Sequence, residues 1–171
     1  MFKKRPLCAF IAVIIIIVFS LYLTNAIKTV PCDKDMTSIF ISNFIHTNFT
    51  HLLSNLYGLY SLSRVEIKYG SKKFFLLIIF LLIITSIFEI IVHKIINLPC
   101  SIGFSGILYG VLTFEMIMTK NYFDYYLFGA IISDIITSKV FKNNISVSGH
   151  IIGAISGIIG GLTLSKIKFF N

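Results

Sequence analysis

Six long runs of apolar residues divide the chain, separated by short polar stretches. The runs are apolar on all sides and lack the alternation of apolar and polar positions that marks the strands of a membrane barrel. Backbone N–H and C=O groups in lipid must bond within the protein, which leaves helices as the form of these runs. We therefore predict an all-α, polytopic membrane protein, a bundle of six transmembrane helices in a single domain over residues 1–171. The predicted spans are Leu7–Ile27, Ile45–Leu62, Phe74–Ile96, Ile102–Met118, Tyr122–Thr137 and Ile145–Ser165.

The composition supports a membrane protein and indicates its orientation. Hydrophobic residues make up 56% of the chain, whereas water-soluble domains are about 45–50% apolar. The net charge is +8, but no loop has a basic stripe with interleaved aromatic residues, so we predict the lipid bilayer as a partner and no nucleic acid. Lys and Arg beside a span hold its end on the cytoplasmic side. With a cytoplasmic N-terminus, ten of the 15 Lys and Arg residues fall on the inner face, which predicts that both termini are cytoplasmic.

Two alternatives stay open in the loops and at the start of the chain. Met1–Ala26 has the basic start and apolar core of a cleaved signal peptide, although its apolar run is long for one.

The cysteines have no metal-ligand spacing. Cys32 and Cys100 fall in loops predicted on the same outer face, where they either form a disulfide or remain two free thiols. Cys8, in the first run, is interpreted as a small apolar residue.

Polar groups that suit acyl-transfer chemistry occur near the start of three spans. His51 and Asn55 are in the second span, Ser105 in the fourth and His150 in the sixth. In the predicted topology all three spans run from outside to inside, and each polar group falls within about the first three turns. The four residues therefore share one depth, in the outer leaflet. Because polar groups are costly in hydrocarbon, this shared depth indicates a functional site that opens toward the extracytoplasmic side.

Ser105 and His150 have the chemistry of a nucleophile and its base. A serine hydroxyl becomes an effective nucleophile when an adjacent base takes its proton. Small residues accompany both side chains, namely Gly103, Gly106, Gly153 and Gly157. Small residues at four-residue spacing let helices approach closely in lipid. We therefore expect the serine and the imidazole to meet.

Three neighbouring residues have two interpretations each. His51 and Asn55 are four residues apart and share a helical face, from which they either direct donors at an oxyanion or simply join two helices. Tyr109 lies four residues after Ser105, so its ring either stacks on His150 or is a core aromatic.

The acidic residues offer no obvious third member of a triad. Glu89 and Glu115 are expected to lie away from the outer leaflet. No spacing ties Asp134 to His150, so we predict a base without an acidic partner.

Taken in order, these residues resemble the rhomboid family of intramembrane serine proteases. The resemblance is carried by His46, His51 and Asn55 with the preceding Met36–Phe40, by Gly103-Phe104-Ser105-Gly106 with Tyr109, by His150 with Gly153 and Gly157, and by Val65–Gly70. It covers the second to sixth spans. The chain departs from the family in its first loop, which is short and lacks the common Trp-Arg pair, since the chain contains no Trp.

The resemblance implies a rhomboid-like fold and a serine endopeptidase with a catalytic dyad of Ser105 and His150. It also implies an oxyanion hole formed by His51, Asn55 and the Ser105 backbone N–H, with His46 shaping a hydrated cavity. The implied substrates are transmembrane segments of single-span membrane proteins, and no metal or cofactor is required.

Two other functions remain as alternatives. One is a rhomboid-like pseudoprotease that binds membrane helices without cleaving them. The other is a small transporter or channel, in which helices would break at mid-membrane and polar groups would follow a path through it. The sequence leaves the oligomeric state and the physiological substrate open.

Overall fold

The protein is helical throughout the part of the chain that its structure describes. The structure is a computed structural model that describes residues 5–27, 36–96, 101–121, 129 and 147–167. All regular structure in these ranges is helical, which confirms the all-α prediction. The helices are α1 (Pro6–Leu23), α2 (Met36–Ser42), α3 (Phe49–Tyr69), α4 (Ser71–Ile96), α5 (Ser105–Thr119) and α6 (Val147–Leu164). Cys32, Cys100, Asp134 and all of the predicted fifth span except Gly129 lie outside the described residues.

Three of these helices are long and apolar enough to cross a membrane. They are α1, α4 and α6, judged by length and composition. α5 is a shorter apolar helix of 15 residues. α3 has 21 residues but is more polar, because its second half carries Arg64, Glu66 and Lys68. The apolar helices are those of an integral membrane protein.

The helix of the second predicted span begins at Phe49, close to the expected Ile45, because the side chain of Asn48 caps it by accepting a hydrogen bond from the backbone N–H of His51 at 2.8 Å. His46 therefore lies in the segment before α3 and not on the helix that carries His51.

α3 continues past Leu62, the predicted end of this span, to Tyr69. Its last turns are held inside the bundle by Glu66, which is 1% exposed. The Glu66 carboxylate accepts hydrogen bonds from the backbone N–H groups of Leu7 at 2.9 Å and Cys8 at 2.8 Å. It thereby satisfies donors in the first turn of α1 that have no partner within that helix. The other described boundaries lie within four residues of the prediction.

α5 and α6 pack with their backbones in contact. A Cβ atom at Gly153 would overlap the carbonyl group of Gly106, and one at Gly157 would overlap the carbonyl group of Gly110. Only glycine permits this approach, as expected for small residues at helix interfaces in lipid. The packing brings the first turns of the two helices together.

Candidate active site

Ser105 is the first residue of α5, and the turn before it sets its position. Gly103 has a φ of 100°, a conformation that favours glycine. Its backbone N–H donates a hydrogen bond to the carbonyl group of Ser42, the last residue of α2, at 2.9 Å. The side chain of Phe104 is completely buried. The serine is therefore anchored through its preceding residues to α2 on one side and to the core on the other.

His150 lies in the first turn of α6 and faces Ser105. Its Nε2 atom is 2.7 Å from the Oγ atom of Ser105, a hydrogen-bonding distance. The ring of Tyr109 stacks on the imidazole, with centroids 4.6 Å apart and planes inclined by 23°. Tyr109 is one turn beyond Ser105 on the same face of α5. One helix thus supplies both the hydroxyl group and the ring that supports the imidazole.

The ring of His51 lies against the Gly103 turn. A Cβ atom at Gly103 would be only 2.5 Å from Nε2 of His51. The imidazole therefore packs on the backbone two residues before Ser105. Since Ser105 begins a helix, its own backbone N–H lacks a partner within α5. The His51 imidazole therefore packs against the same turn that carries this N–H group.

His46 is completely buried behind His51, with the two ring centroids 4.9 Å apart. Its Nδ1 atom lies 3.2 Å from the carbonyl oxygen of Phe44, which can only accept a hydrogen bond, so Nδ1 carries the proton. Nε2 has no partner among the described residues.

Asn55 lies one turn beyond His51 on α3 and is 3% exposed. Its amide nitrogen donates to the carbonyl group of His51 at 2.9 Å. An amide nitrogen has two hydrogens, so this bond leaves a second donor. The Oδ1 atom is buried without a partner in the described part of the chain. Asn55 and His46 thus both bring unsatisfied polar atoms to the neighbourhood of His51.

Glu89 lies near the Ser105 end of the bundle, so the expectation that it lies away from that depth is wrong. Its carboxylate, 4% exposed, lies beside the side chain of Ser101, four residues before Ser105. One turn earlier on α4, the Thr85 methyl group lies 4.0 Å from where a Cβ atom of Gly106 would be. α4 runs antiparallel to α5, so its last turns meet the first turn of α5.

Glu115 is near the opposite end of α5. It accepts a hydrogen bond from Nζ of Lys68 at 2.7 Å, in an ion pair that joins α3 to α5. No group of three or more His, Cys, Asp or Glu side chains suited to a metal ion occurs within the described ranges.

The arrangement combines a hydroxyl group, an imidazole and a helix N-terminus within one small region. An imidazole nitrogen at hydrogen-bonding distance from a serine hydroxyl can take its proton. The N-terminal end of α5 carries partial positive charge, which favours a developing anion. These are the elements of nucleophilic attack on a carbonyl group.

Comparisons with known proteins cover most of the chain, including the site. The family model for the Rhomboid domain matches residues 33–167. The chain belongs to the rhomboid family. This rhomboid is 26% identical over 154 residues to a protein of Acanthamoeba polyphaga mimivirus that bears the rhomboid name, and the match covers 88% of each chain. Within the rhomboid chain, the matched range begins before α2 and ends after α6, so it contains every residue of the site.

Proposed function

We propose that this protein is an intramembrane serine endopeptidase that cleaves transmembrane segments of single-span membrane proteins. The observation that carries the proposal is the 2.7 Å distance between Ser105 Oγ and His150 Nε2. Membership in the rhomboid family supports the same reaction. Ser105 is the proposed nucleophile and His150 the proposed general base.

The proposed reaction has two halves. Ser105 Oγ attacks the scissile carbonyl carbon while its proton passes to Nε2 of His150. The tetrahedral intermediate collapses, the C–N bond breaks, and His150 returns the proton to the departing amine. A water molecule then attacks the acyl ester and gives its proton to His150. The second collapse releases the carboxylate and restores the Ser105 hydroxyl group.

The oxyanion would be bound at the Gly103 turn. Its proposed donors are the backbone N–H of Ser105, the imidazole of His51 and the second amide hydrogen of Asn55. Loss of one such donor typically lowers kcat by about 10²–10³-fold. His46, behind His51, supports the ring and brings an unsatisfied buried nitrogen that suits a hydrated cavity. The dyad chemistry requires no metal or cofactor.

The proposed substrates and orientation follow from the rhomboid resemblance and from charge. A substrate helix that unwinds near small residues presents an extended strand to Ser105, because a helical backbone shields its own carbonyl groups. The distribution of Lys and Arg supports cytoplasmic termini and a site that opens to the extracytoplasmic side.

The test is cleavage of a model single-span substrate by the purified full-length protein in detergent. We expect Ser105→Ala and His150→Ala each to abolish cleavage. Ser20→Ala, at an exposed serine whose hydroxyl group donates to the Ile16 carbonyl within α1, is the matched control and should cleave normally. A serine-directed fluorophosphonate should label the protein only when both Ser105 and His150 are present.

Two results would count against the proposal. Cleavage that survives Ser105→Ala would exclude the mechanism. Binding of substrates without cleavage by the wild-type protein would favour the pseudoprotease function.

A further inference from the structure

A groove of about 580 Å³ lies between the first turns of α1 and α4, at the end of the bundle opposite Ser105. Its walls are apolar and include Leu7 and Phe10 from α1 and Phe75 and Leu76 from α4. The groove is open on the side that faces away from the bundle. Phe10 is 61% exposed and Phe75 49%, so large apolar side chains face outward here.

The groove has one polar end. Lys72, in the first turn of α4, lines it and is exposed, while Phe75 and Leu76 lie one turn further along the same helix. α1 likewise begins at this end, so Phe10 lies at a similar distance beyond it. The groove is therefore basic where the two helices start and apolar further along.

Three charged residues lie near this end, and two of them, Arg5 and Glu66, bind other parts of the protein. Arg5 donates a hydrogen bond to Ser63 at 2.8 Å and lies over the ring of Tyr60, which places it on the α3 side. The carboxylate of Glu66 is buried and accepts from the first turn of α1. Lys72 is the charged residue that lines the groove. The N-terminus of α4 adds partial positive charge at the same end, whereas that of α1 is capped by Glu66.

We propose that this groove binds an anionic phospholipid, with an acyl chain against Phe10, Phe75 and Leu76 and the headgroup phosphate at Lys72. α1 and α4 are the two most apolar helices among the candidate membrane spans, so the open side of the groove faces hydrocarbon. An amphipathic ligand with an anionic head and an apolar tail matches the basic end and the apolar walls. Basic pockets between transmembrane helices bind anionic headgroups in this manner. The proposal does not depend on the proteolytic function.

The test measures lipid affinity by native mass spectrometry of the full-length protein in neutral detergent. Dioleoyl phosphatidylglycerol is compared with dioleoyl phosphatidylcholine, which has the same chains and no net charge. We expect the most tightly bound phosphatidylglycerol molecule to bind about fivefold more strongly than the most tightly bound phosphatidylcholine molecule. This is the value for one lysine near an anionic headgroup. Lys72→Gln should remove this preference. Lys73→Gln, the same charge change at the next residue, should retain it.

A second pair of variants tests the acyl-chain half of the site. Leu76→Trp narrows the groove and should weaken binding of both lipids. Ile83→Trp places the same bulk two turns further along the exposed face of α4, outside the groove, and should leave binding unchanged. Thermal unfolding without added lipid checks that the variants remain folded.

Three results would overturn the proposal. The first is equal binding of the two lipids to the wild-type protein. The second is a preference for phosphatidylglycerol that persists in Lys72→Gln and in the charge-reversed Lys72→Glu. The third is loss of binding in Ile83→Trp equal to that in Leu76→Trp.

Discussion

Gly153 and Gly106 lie backbone to backbone, with no space for a side chain between them. Gly106 follows Ser105 directly, and Gly153 is three residues after His150. The distance between the two helices therefore also sets the distance between the hydroxyl group and the imidazole. We expect Gly153→Ala to move α6 away from α5 and to lower kcat by about 10²-fold, the cost of a misplacement near 1 Å.

The matched control is Gly160→Ala on the same helix. A Cβ atom there would meet the side chain of Phe80 at 3.2 Å, and a side chain can adjust where a backbone cannot. Cleavage kinetics and fluorophosphonate labelling should be near normal in Gly160→Ala. Equal losses in the two variants would contradict the role of the Gly106 contact.

Gly103→Ala should impair catalysis through the ring of His51. The added methyl group would strain a backbone with φ of 100° and press on Nε2 of His51. Gly70→Ala is the control, because Gly70 also has a positive φ, of 83°, but no atom within 4 Å of its Cβ position. We expect both to lower the melting temperature and only Gly103→Ala to lower kcat, by about 10²-fold. A comparable kcat loss in Gly70→Ala would show that backbone strain alone is responsible.

Glu89 should act on the site through Ser101. Glu89→Leu removes the polar contact with Ser101, in the segment before the Gly103 turn, and we expect about a tenfold fall in kcat, equivalent to about 1.4 kcal/mol. Glu89→Gln keeps a polar side chain of the same shape and should retain most activity. In a double-mutant cycle, Ser101→Ala should add nothing to Glu89→Leu, because both remove the same contact. Additive losses would contradict this coupling.

Glu66→Ala should destabilise the fold. The substitution leaves two backbone donors of α1 without acceptors, at a cost of about 1–3 kcal/mol each when buried. Ser71→Ala, which removes only the hydroxyl donor to Glu66, should cause a smaller loss. Thermal unfolding in detergent measures both. A melting temperature unchanged in Glu66→Ala would show that α1 does not depend on this cap.

The sequence predicted the helices best where they are most apolar. The runs that became α1, α4, α5 and α6 were found within a few residues, because burial in lipid requires long apolar stretches. The second half of α3 was missed because hydropathy does not distinguish a polar residue in water from one paired inside the bundle. Glu66 is paired in this way, and the exposed Lys68 pairs with the buried Glu115.

The candidate residues near Ser105 were predicted unevenly. Ser105 and His150 stood out because polar groups are rare in apolar runs, and their common depth followed from the order of the spans. Glu89 was misplaced because its depth depends on which turns of α4 meet α5. α2 was not predicted at all, since seven residues give too little periodicity to identify a helix.

The hydrogen bond between the Gly103 N–H and the Ser42 carbonyl connects the turn before Ser105 to α2. α2 is short, and its last residue is one hydrogen bond from the turn before Ser105, the proposed nucleophile. A displacement of α2 would therefore also displace the Gly103 turn, so the position of Ser105 depends on α2 as well as on how α5 packs against α6.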